Sequence, residues 1–427
     1  MGRRRVGTAL ISAIACLGMC SSSSSAAAAQ TPMSAAAGQI PVPAAAQLSM
    51  SSGAPVASGV EAPASAIPWQ SVGPGWFVAL WGPHAAVYPG PAIGKWEQQK
   101  TALFLVDPHG GRYLIATLPA PSLYQLYDWS GDGRRVLIGT PSTSAHPKSQ
   151  IEEIDLASGK VLSHFTSSGS NPYGAWYQFT RPMGLALLRS SQDADGVISV
   201  TRLNLSGETE QAYRPTLPAV ASVNSSLLPS LDGTELVVAA AHGLALFAND
   251  GTFLKDIGPS AKACSPDRWW DETGSPDRWW DETDLVASCQ SFGPNSNAVA
   301  ALWLVPVNGP APSQLTFPRA PDYGDVDGWK VGGTIYVQAL GACGSEFLAR
   351  RLPNGTTKEV TVPKAANDER VIGAGSDQVA LQAVLGCGGG QSLFWFDPTT
   401  AKETPLLGPP LNGGGVLAAL PYPGLQP

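Results

Sequence analysis

The feature of this sequence that most restricts its fold is a hairpin pattern that occurs seven times. In each copy a short apolar run meets a polar turn rich in Gly, Asn or Asp, and a second run follows, commonly ending at proline. Two strand-like runs joined by such a turn predict a β-hairpin. The copies are ALFLVDPHGGRYLIATLP, IEEIDLASGKVLSHFT, ISVTRLNLSGETEQAYRP, GLALFANDGTFLKDIGP, ALWLVPVNGPAPSQLTFP, FLARRLPNGTTKEVTVP and LFWFDPTTAKETPLLGPP.

The turns of these hairpins recur at a nearly constant interval. Their marker residues are Gly111, Gly159, Gly207, Gly251, Gly309 and Gly355, with Ala401 in the equivalent place of the last copy. The successive spacings are 48, 48, 44, 58, 46 and 46 residues. A period in the forties with two hairpins per unit is typical of a β-propeller, in which each unit is a four-stranded blade.

One interval is longer because a short peptide is present twice. SPDRWWDET occurs at 265–273 and again at 275–283, and without one ten-residue copy the interval of 58 would be 48. Added length in a surface loop costs little chain entropy. The sequence therefore predicts that the second copy lies in a loop of an otherwise regular repeat.

We therefore predict an all-β, seven-bladed β-propeller with four-stranded antiparallel blades, and six or eight blades as alternatives. The domain is predicted at 68–422. An apolar segment at 413–422 remains after the seventh unit and is predicted to pair with the first blade, which would close the ring and remove free sheet edges. The predicted blades are 68–119, 122–166, 172–215, 222–258, 264–317, 322–363 and 367–408.

Two turns in the earlier halves of the units share an S-x-D-G pattern, at 130–133 and 230–233. An Asp side chain accepts hydrogen bonds within a turn, and Gly tolerates positive φ. This corner, followed by an apolar strand, resembles the repeat of TolB-type, WD40-like propellers, and the opening IPWQSVGPGWFVALW looks like secreted actinobacterial members of that group. The resemblance covers roughly residues 68 to 421. It implies protein–protein contact in the cell envelope through loops on one face or at the channel mouth.

The amino-terminal residues predict export. Residues 1–29 combine a GRRR start with an apolar run too short to span a bilayer, as in a signal peptide. Two processing routes are open: Cys20, preceded by Leu-Gly-Met and followed by five serines, would be lipidated in a lipobox, or cleavage would occur near Ala29. Residues 30–67, rich in Ala, Pro and Ser, are predicted to be a disordered linker. We expect the protein outside the cytoplasm, either secreted or lipid-anchored on the outer face of the membrane.

Four of the six cysteines lie beyond the predicted signal, and an even number in an exported chain predicts disulfides. Cys264 and Cys289 lie on the first two strands of the fifth predicted blade, where antiparallel pairing brings them together. Cys343 and Cys387 follow the second strands of the next two blades. We therefore predict the pairs 264 with 289, and 343 with 387. No C-x-x-C pair or nearby histidine favours a metal at these cysteines.

The duplicated peptide is the candidate binding site. Exposed Trp side chains beside carboxylates are suited to stacking on a sugar or contacting a partner protein. The alternative interpretation is an in-frame duplication that the loop tolerates and that has no function. The candidate residues are Trp269, Trp270, Trp279, Trp280, Asp281 and Glu282, with Asp271 and Glu272 in the first copy.

Composition and motifs favour binding over catalysis. A net charge of −7 with 14% charged residues argues against general affinity for nucleic acid or anionic lipid. The sequence contains no G-x-S-x-G elbow, phosphate-binding loop or H-E-x-x-H segment, and its five histidines are scattered. We predict no metal and no cofactor.

We therefore expect a monomeric, non-catalytic protein-binding or scaffold module at the cell envelope. Its partner would be an envelope or secreted protein, or a glycan. Two alternatives remain open. One is a polysaccharide lyase or glycosidase that uses carboxylates from different blades, and the other is a carbohydrate-binding propeller that uses the tryptophans.

Overall fold

The computed structural model contains strands throughout and a single 3-10 turn, at 64–66, among the residues it describes. Contacts between Cα atoms separate 1–51 from 52–427, and every described residue belongs to the second unit. No helix in the described part is long and apolar enough to cross a membrane. The described residues are 61–82, 100–119, 124–140, 148–167, 175–192, 198–213, 227–230, 232–239, 243–259, 262–265, 283–292, 298–318, 324–341, 345–363, 368–385, 389–408 and 415–423.

The strands are numbered in chain order. Their bounds are β1 Glu61–Pro63, β2 Phe77–Gly82, β3 Thr101–Val106, β4 Arg112–Leu118, β5 Gln125–Trp129, β6 Arg135–Thr140, β7 Ser149–Asp155, β8 Val161–Ser167, β9 Ala175–Phe179, β10 Leu187–Gln192, β11 Ile198–Leu203, β12 Thr209–Tyr213, β13 Leu227–Pro229, β14 Glu235–Ala239, β15 Leu244–Ala248, β16 Phe253–Ile257, β17 Ala263–Ser265, β18 Asp284–Phe292, β19 Ala298–Pro306, β20 Ser313–Gln314, β21 Gly324–Val331, β22 Thr334–Leu340, β23 Glu346–Arg351, β24 Thr357–Glu359, β25 Glu369–Ala374, β26 Val379–Leu385, β27 Gly389–Asp397, β28 Lys402–Leu407 and β29 Gly415–Pro421.

Most strands form four-stranded antiparallel groups in which neighbours in sequence are neighbours in the sheet. These groups are β5–β8, β9–β12, β13–β16 and β25–β28. An eight-stranded sheet contains two more groups, β17–β20 and β21–β24, which meet through one parallel bridge between Ala300 and Gly324. The first sheet has the order β1-β4-β3-β2-β29. The all-β prediction and the four-stranded antiparallel pattern are confirmed, and each of the seven predicted hairpins is an antiparallel strand pair.

One predicted boundary, the end of the linker, differs from the structure at the first sheet, whereas the predicted pairing of 413–422 with this sheet is observed. The segment predicted as linker ends at 67, but β1 already pairs in parallel with β4, and Ile67 is buried in a core cluster. Residues 68–119 contribute three strands to this sheet, and the chain's last strand, β29, pairs with β2 as another antiparallel member. A linker composition therefore did not prevent strand formation, because β4 presents an edge to which the backbone of 61–63 can bond.

Buried apolar side chains of the described residues form seven clusters, and each cluster lies between two successive strand groups. Strand β3 shows why the inner strands are apolar without alternation. Leu103 and Leu105 belong to the cluster shared with β5–β8, whereas Phe104 and Val106 belong to the cluster shared with β25–β28. Successive side chains point to opposite faces of a strand, so both faces of β3 are covered by neighbouring groups.

The turns of the second hairpins pack on the outer strand of the preceding group. A Cβ atom on Gly159 would collide with the carbonyl oxygen of Ile115 in β4, and one on Gly207 with the ring of Phe165 in β8. Gly110 in the first sheet approaches the carbonyl oxygen of Pro405 in β28 in the same way. This repeated contact explains why the turns carry glycine, since a larger residue would separate adjacent groups.

Candidate functional site

The residues predicted to bind in the doubled tryptophan peptide, 269, 270 and 279–282, lie outside the described residues, as do Cys20, Cys343 and Cys387. The strands at the two ends of the peptide are described. Cys264 and Cys289 are directly opposite each other in β17 and β18 and form a disulfide, as predicted. Both cysteines are fully buried. The disulfide therefore connects the two strands from which the doubled peptide extends.

The two S-x-D-G corners have the same hydrogen bonds. In the first, the Ser130 hydroxyl donates to Asp132 Oδ1 at 2.5 Å and accepts from the Arg135 backbone N–H at 2.9 Å. In the second, Ser230 donates to Asp232 Oδ1 at 2.6 Å and accepts from the Glu235 N–H at 3.0 Å. Each serine therefore links its turn to the strand that follows, which makes both corners rigid.

A loop at 180–185 lies against both corners and is called the 180–185 loop below. Gly131 of the first corner approaches the carbonyl oxygen of Pro182, and Gly233 of the second approaches that of Arg181, with no space for a Cβ atom in either place. The loop therefore connects turns from three successive strand groups. The S-x-D-G pattern is present in the two outer corners but not in the middle one, where Thr180 replaces serine and bonds to Ala186 in the same manner.

A buried ion pair holds the 180–185 loop in place. Arg181 Nη1 lies 2.9 Å from Asp128 Oδ2, and Nη2 lies 2.8 Å from Oδ1. The same carboxylate accepts the backbone N–H of Phe179 at 2.8 Å. Two parallel charge-assisted bonds fix the orientation as well as the distance of both side chains. The nearby Arg135 bonds to Glu153 Oε1 at 2.7 Å and donates to the carbonyl oxygen of Met183.

Two apolar side chains project from this fixed loop into solvent. Met183 is 51% exposed and Leu185 is 75% exposed, the highest value among the large hydrophobic residues described. Gly184 between them has a φ of 66°, a conformation that turns the chain between the two side chains. The guanidinium of Arg134, in the adjacent corner, lies 4.3 Å above the ring of Trp69. Exposed apolar side chains on a rigid support are suited to protein contact.

A second polar cluster lies at the junction of β22, β23 and β25. The Asp368 carboxylate accepts the N–H of Glu346 at 2.7 Å, and Glu369 Oε1 accepts the N–H of Leu348 at 3.0 Å. Arg370 forms a bidentate pair with Glu346 at 2.9 and 3.0 Å. Strand β24 pairs with residues 349–351, which lie after the start of β23. The N–H groups of Glu346 and Leu348, at the start of β23, donate instead to the two carboxylates. We call this group the acidic junction.

Burial shifts the pKa values at the acidic junction. Desolvation raises the pKa of Asp368 to about 6 and that of Glu369 to about 7, and it lowers the pKa of Arg370 to about 9. A carboxyl group with a pKa near neutrality can act as a general acid. In this cluster, however, each carboxylate already accepts a backbone N–H from the neighbouring group, so the contacts are those of a structural connection. A weak sequence signal for this cluster is the run of three charged residues at 368–370, directly before the apolar Val371 and Ile372.

The described residues contain no group of three or more His, Cys, Asp or Glu side chains that could hold a metal ion. The Asp-Val-Asp-Gly sequence at 325–328 is part of strand β21, where Asp325 and Asp327 are buried. A register irregularity between these residues accommodates them in the sheet.

No protein-family model matches this chain, and no curated protein matches its sequence. Its structure is similar to that of TolB from Acinetobacter baumannii, with a TM-score of 0.40 and 12% identity over 81% of this chain and 67% of that one. It is also similar to the β-propeller domain of the Trilobed protease from Pyrococcus furiosus, with a TM-score of 0.44 and 12% identity over 73% of this chain and 88% of that one. A prolyl endopeptidase gives a TM-score of 0.47 and 13% identity over 79% of this chain and 51% of that one. Similarity at this level identifies neither a substrate nor a partner.

Proposed function

We propose that the strands form a closed seven-bladed β-propeller whose first blade includes β29. Three observations support closure: β29 pairs with β2, a core cluster is shared between the first sheet and β25–β28, and the Gly110 turn contacts β28 as the other turns contact their neighbours. In this arrangement the eight-stranded sheet contributes two blades. A closed ring leaves no blade face exposed, which accounts for the continuous apolar runs in the inner strands.

We further propose that this propeller is a non-catalytic protein-binding or scaffold module. The observation that carries the proposal is the 180–185 loop, which presents Met183 and Leu185 to solvent on a support fixed by the Asp128–Arg181 pair. A preorganised surface loses little conformational entropy when it binds. The partner is expected to be an envelope or secreted protein.

Export to the envelope is part of the proposal. The signal-like residues 1–29 support it, and so does the disulfide between Cys264 and Cys289, because such bonds persist mainly in oxidising compartments. Lipidation at Cys20 remains a prediction. The propeller is proposed to act as a monomer.

An enzyme acting on carbohydrate is the competing proposal. Its best candidates among the described residues are Asp368 and Glu369, whose raised pKa values suit acid catalysis. Their bonds to the N–H groups of Glu346 and Leu348 favour a structural role. Turnover of a polysaccharide panel that is lost in Glu369→Gln would favour the enzyme.

Capture of envelope proteins on residues 30–427, followed by mass spectrometry, tests the binding proposal. Met183→Ser with Leu185→Ser should lose the captured partner while unfolding at the same temperature as the unmodified chain. Phe317→Ser is the matched control, because it removes a 48% exposed apolar side chain elsewhere. Equal capture by all three proteins would contradict the assignment of the 180–185 loop.

The doubled tryptophan peptide is tested in the same experiment. A chain lacking 265–274 retains one complete copy of SPDRWWDET. A partner held by the full chain and lost from the shortened one would assign binding to the duplication. Capture of a glycan in place of a protein would support the carbohydrate-binding alternative.

A further inference from the structure

The outer edge of the first sheet is covered by an added strand. Strand β1 pairs in parallel with β4, so that Glu61 lies opposite Arg112, Ala62 opposite Tyr113 and Pro63 opposite Leu114. The Arg112 side chain is 1% exposed, and its Nε lies 3.4 Å from Glu61 Oε2. The first residues of an outer strand in this fold can therefore accept a further extended segment.

The positions equivalent to Arg112 and Tyr113 can be identified from the turn glycines. Gly110, Gly159 and Gly251 all have positive φ and precede the outer strands β4, β8 and β16. The second and third residues after each glycine are Arg112–Tyr113, Val161–Leu162 and Phe253–Leu254. Two apolar pairs therefore occupy the register positions that β1 covers in the first sheet.

The later parts of β4, β8 and β16 contact the next strand group. The Gly159 turn packs on Ile115 of β4, and the Gly207 turn packs on Phe165 of β8. In β16, Lys255 Nζ bonds to Asn308 Oδ1 at 2.7 Å in the next group. The first two residues of β8 and β16 lie before these contacts. They correspond to the first residues of β4, which pair with β1.

These first residues are exposed. Val161 and Leu162 are 49% and 55% exposed, and Phe253 and Leu254 are 44% and 45% exposed. Within the described residues β8 pairs with β7 and β16 with β15, each on one side. Exposed edge strands normally carry polar or charged residues, which prevent pairing with other chains.

Three other outer strands follow that rule. The equivalent pairs are Thr209–Glu210 in β12, Thr357–Lys358 in β24 and Glu403–Thr404 in β28. The same fold therefore accepts polar pairs at this position in β12, β24 and β28. An exposed position does not by itself explain why β8 and β16 have apolar pairs there.

We propose that the first residues of β8 and β16 are strand-acceptor sites, each of which binds an extended apolar segment of a partner protein in the way that β4 binds β1. In such strand addition the main-chain hydrogen bonds supply affinity, and the side chains of alternate residues supply specificity. The proposal is independent of the 180–185 loop, because neither strand contributes a residue to that loop.

Selection of short random peptides on the full chain, followed by affinity measurement on synthetic copies, tests the proposal. We expect the selected peptides to be apolar and rich in β-branched residues. Replacing both pairs with the pair of β12, as Val161→Thr, Leu162→Glu, Phe253→Thr and Leu254→Glu, should weaken binding at least about tenfold. Thr209→Ser with Glu210→Gln, at the equivalent place in β12, is the control and should leave affinity unchanged.

Backbone methylation of a selected peptide separates strand addition from simple apolar contact. N-methyl groups at alternate residues should reduce affinity about tenfold, and those at the intervening residues should have little effect, because alternate N–H groups face the edge. Three results would overturn the proposal: equal sensitivity at every residue, selected peptides that bind the fourfold variant normally, or self-association of the chain that the fourfold variant abolishes.

Discussion

Asp128 and Arg181 form a bidentate ion pair between consecutive strand groups, with N–O distances of 2.9 and 2.8 Å. The two side chains are only 7% and 10% exposed. Removing one member of such a pair leaves a buried charge without its partner, which is more costly than removing both.

We predict that Arg181→Ala lowers the free energy of unfolding by about 3–5 kcal/mol. Asp128→Asn should cost less, because the amide oxygen can still accept the N–H of Phe179. Urea unfolding of both single variants and the double variant gives the coupling energy. Additive effects would contradict the importance of the pair.

Stability should depend on pH through the acidic junction. Folding raises the pKa of Asp368 to about 6 and of Glu369 to about 7, so the folded chain binds more protons than the unfolded chain between about pH 4 and 7. The contribution of these groups to stability is therefore present at low pH and lost as pH rises through 6 and 7.

Glu369→Gln is expected to raise the free energy of unfolding at pH 8 by roughly 1–3 kcal/mol and to flatten its pH dependence between pH 5 and 8. The glutamine oxygen can still accept the Leu348 N–H. Thermal unfolding at both pH values measures this. As a control of opposite sign, Asp397→Asn should lower stability at neutral pH and reduce the loss of stability on acidification, because hydrogen bonds from Thr400 and Thr399 lower the pKa of that carboxyl group.

Ala401 is the one non-glycine residue with positive φ among those described, at 55°. The equivalent turns have Gly159, Gly207, Gly251 and Gly355, with φ between 67° and 85°. We predict that Ala401→Gly stabilises the chain by about 0.5–1 kcal/mol, because it removes the Cβ atom that strains the backbone in a left-handed conformation. Gly159→Ala should act in the opposite direction, because its Cβ would meet the Ile115 carbonyl. Chemical denaturation compares the two, and equal signs would contradict the prediction.

The disulfide and the duplication should have very different effects on stability. Cys264 and Cys289 are 25 positions apart and buried, so replacing both with alanine should cost about 3 kcal/mol. Deleting 265–274 shortens the closed loop by ten residues, and the expected change is about 0.5 kcal/mol or less. Urea unfolding under oxidising conditions measures both. A large loss on deletion would show that the second copy is part of the folded core.

Strand β29 is expected to be essential for cooperative folding. Val416, Ala418, Ala419 and Leu420 are buried and pack with residues of β2 and β3. A chain that ends at Leu411 should unfold at lower temperature and over a broader range, whereas one that ends at Pro423 should match the full chain. Undiminished stability of the shorter chain would contradict ring closure by β29.

Much of the local structure could be predicted from the sequence because it depends on neighbours in the chain. Turn glycines, short apolar runs and the Ser-Asp pairs of the two corners act over a few residues, and the predicted hairpins match the observed strand pairs. The opposed positions of Cys264 and Cys289 follow from one antiparallel pairing.

Tertiary structure decided the contacts between groups. Asp128 meets Arg181 across 53 positions, Glu346 meets Arg370 across 24, and β2 pairs with a strand more than three hundred residues later. No local pattern encodes these partners, because the sequence around a charged residue does not show whether its side chain is solvated or paired with the next unit. The exposure of Met183 and Leu185, and the covering of β4 by β1, likewise depend on which surfaces remain open after the groups have packed.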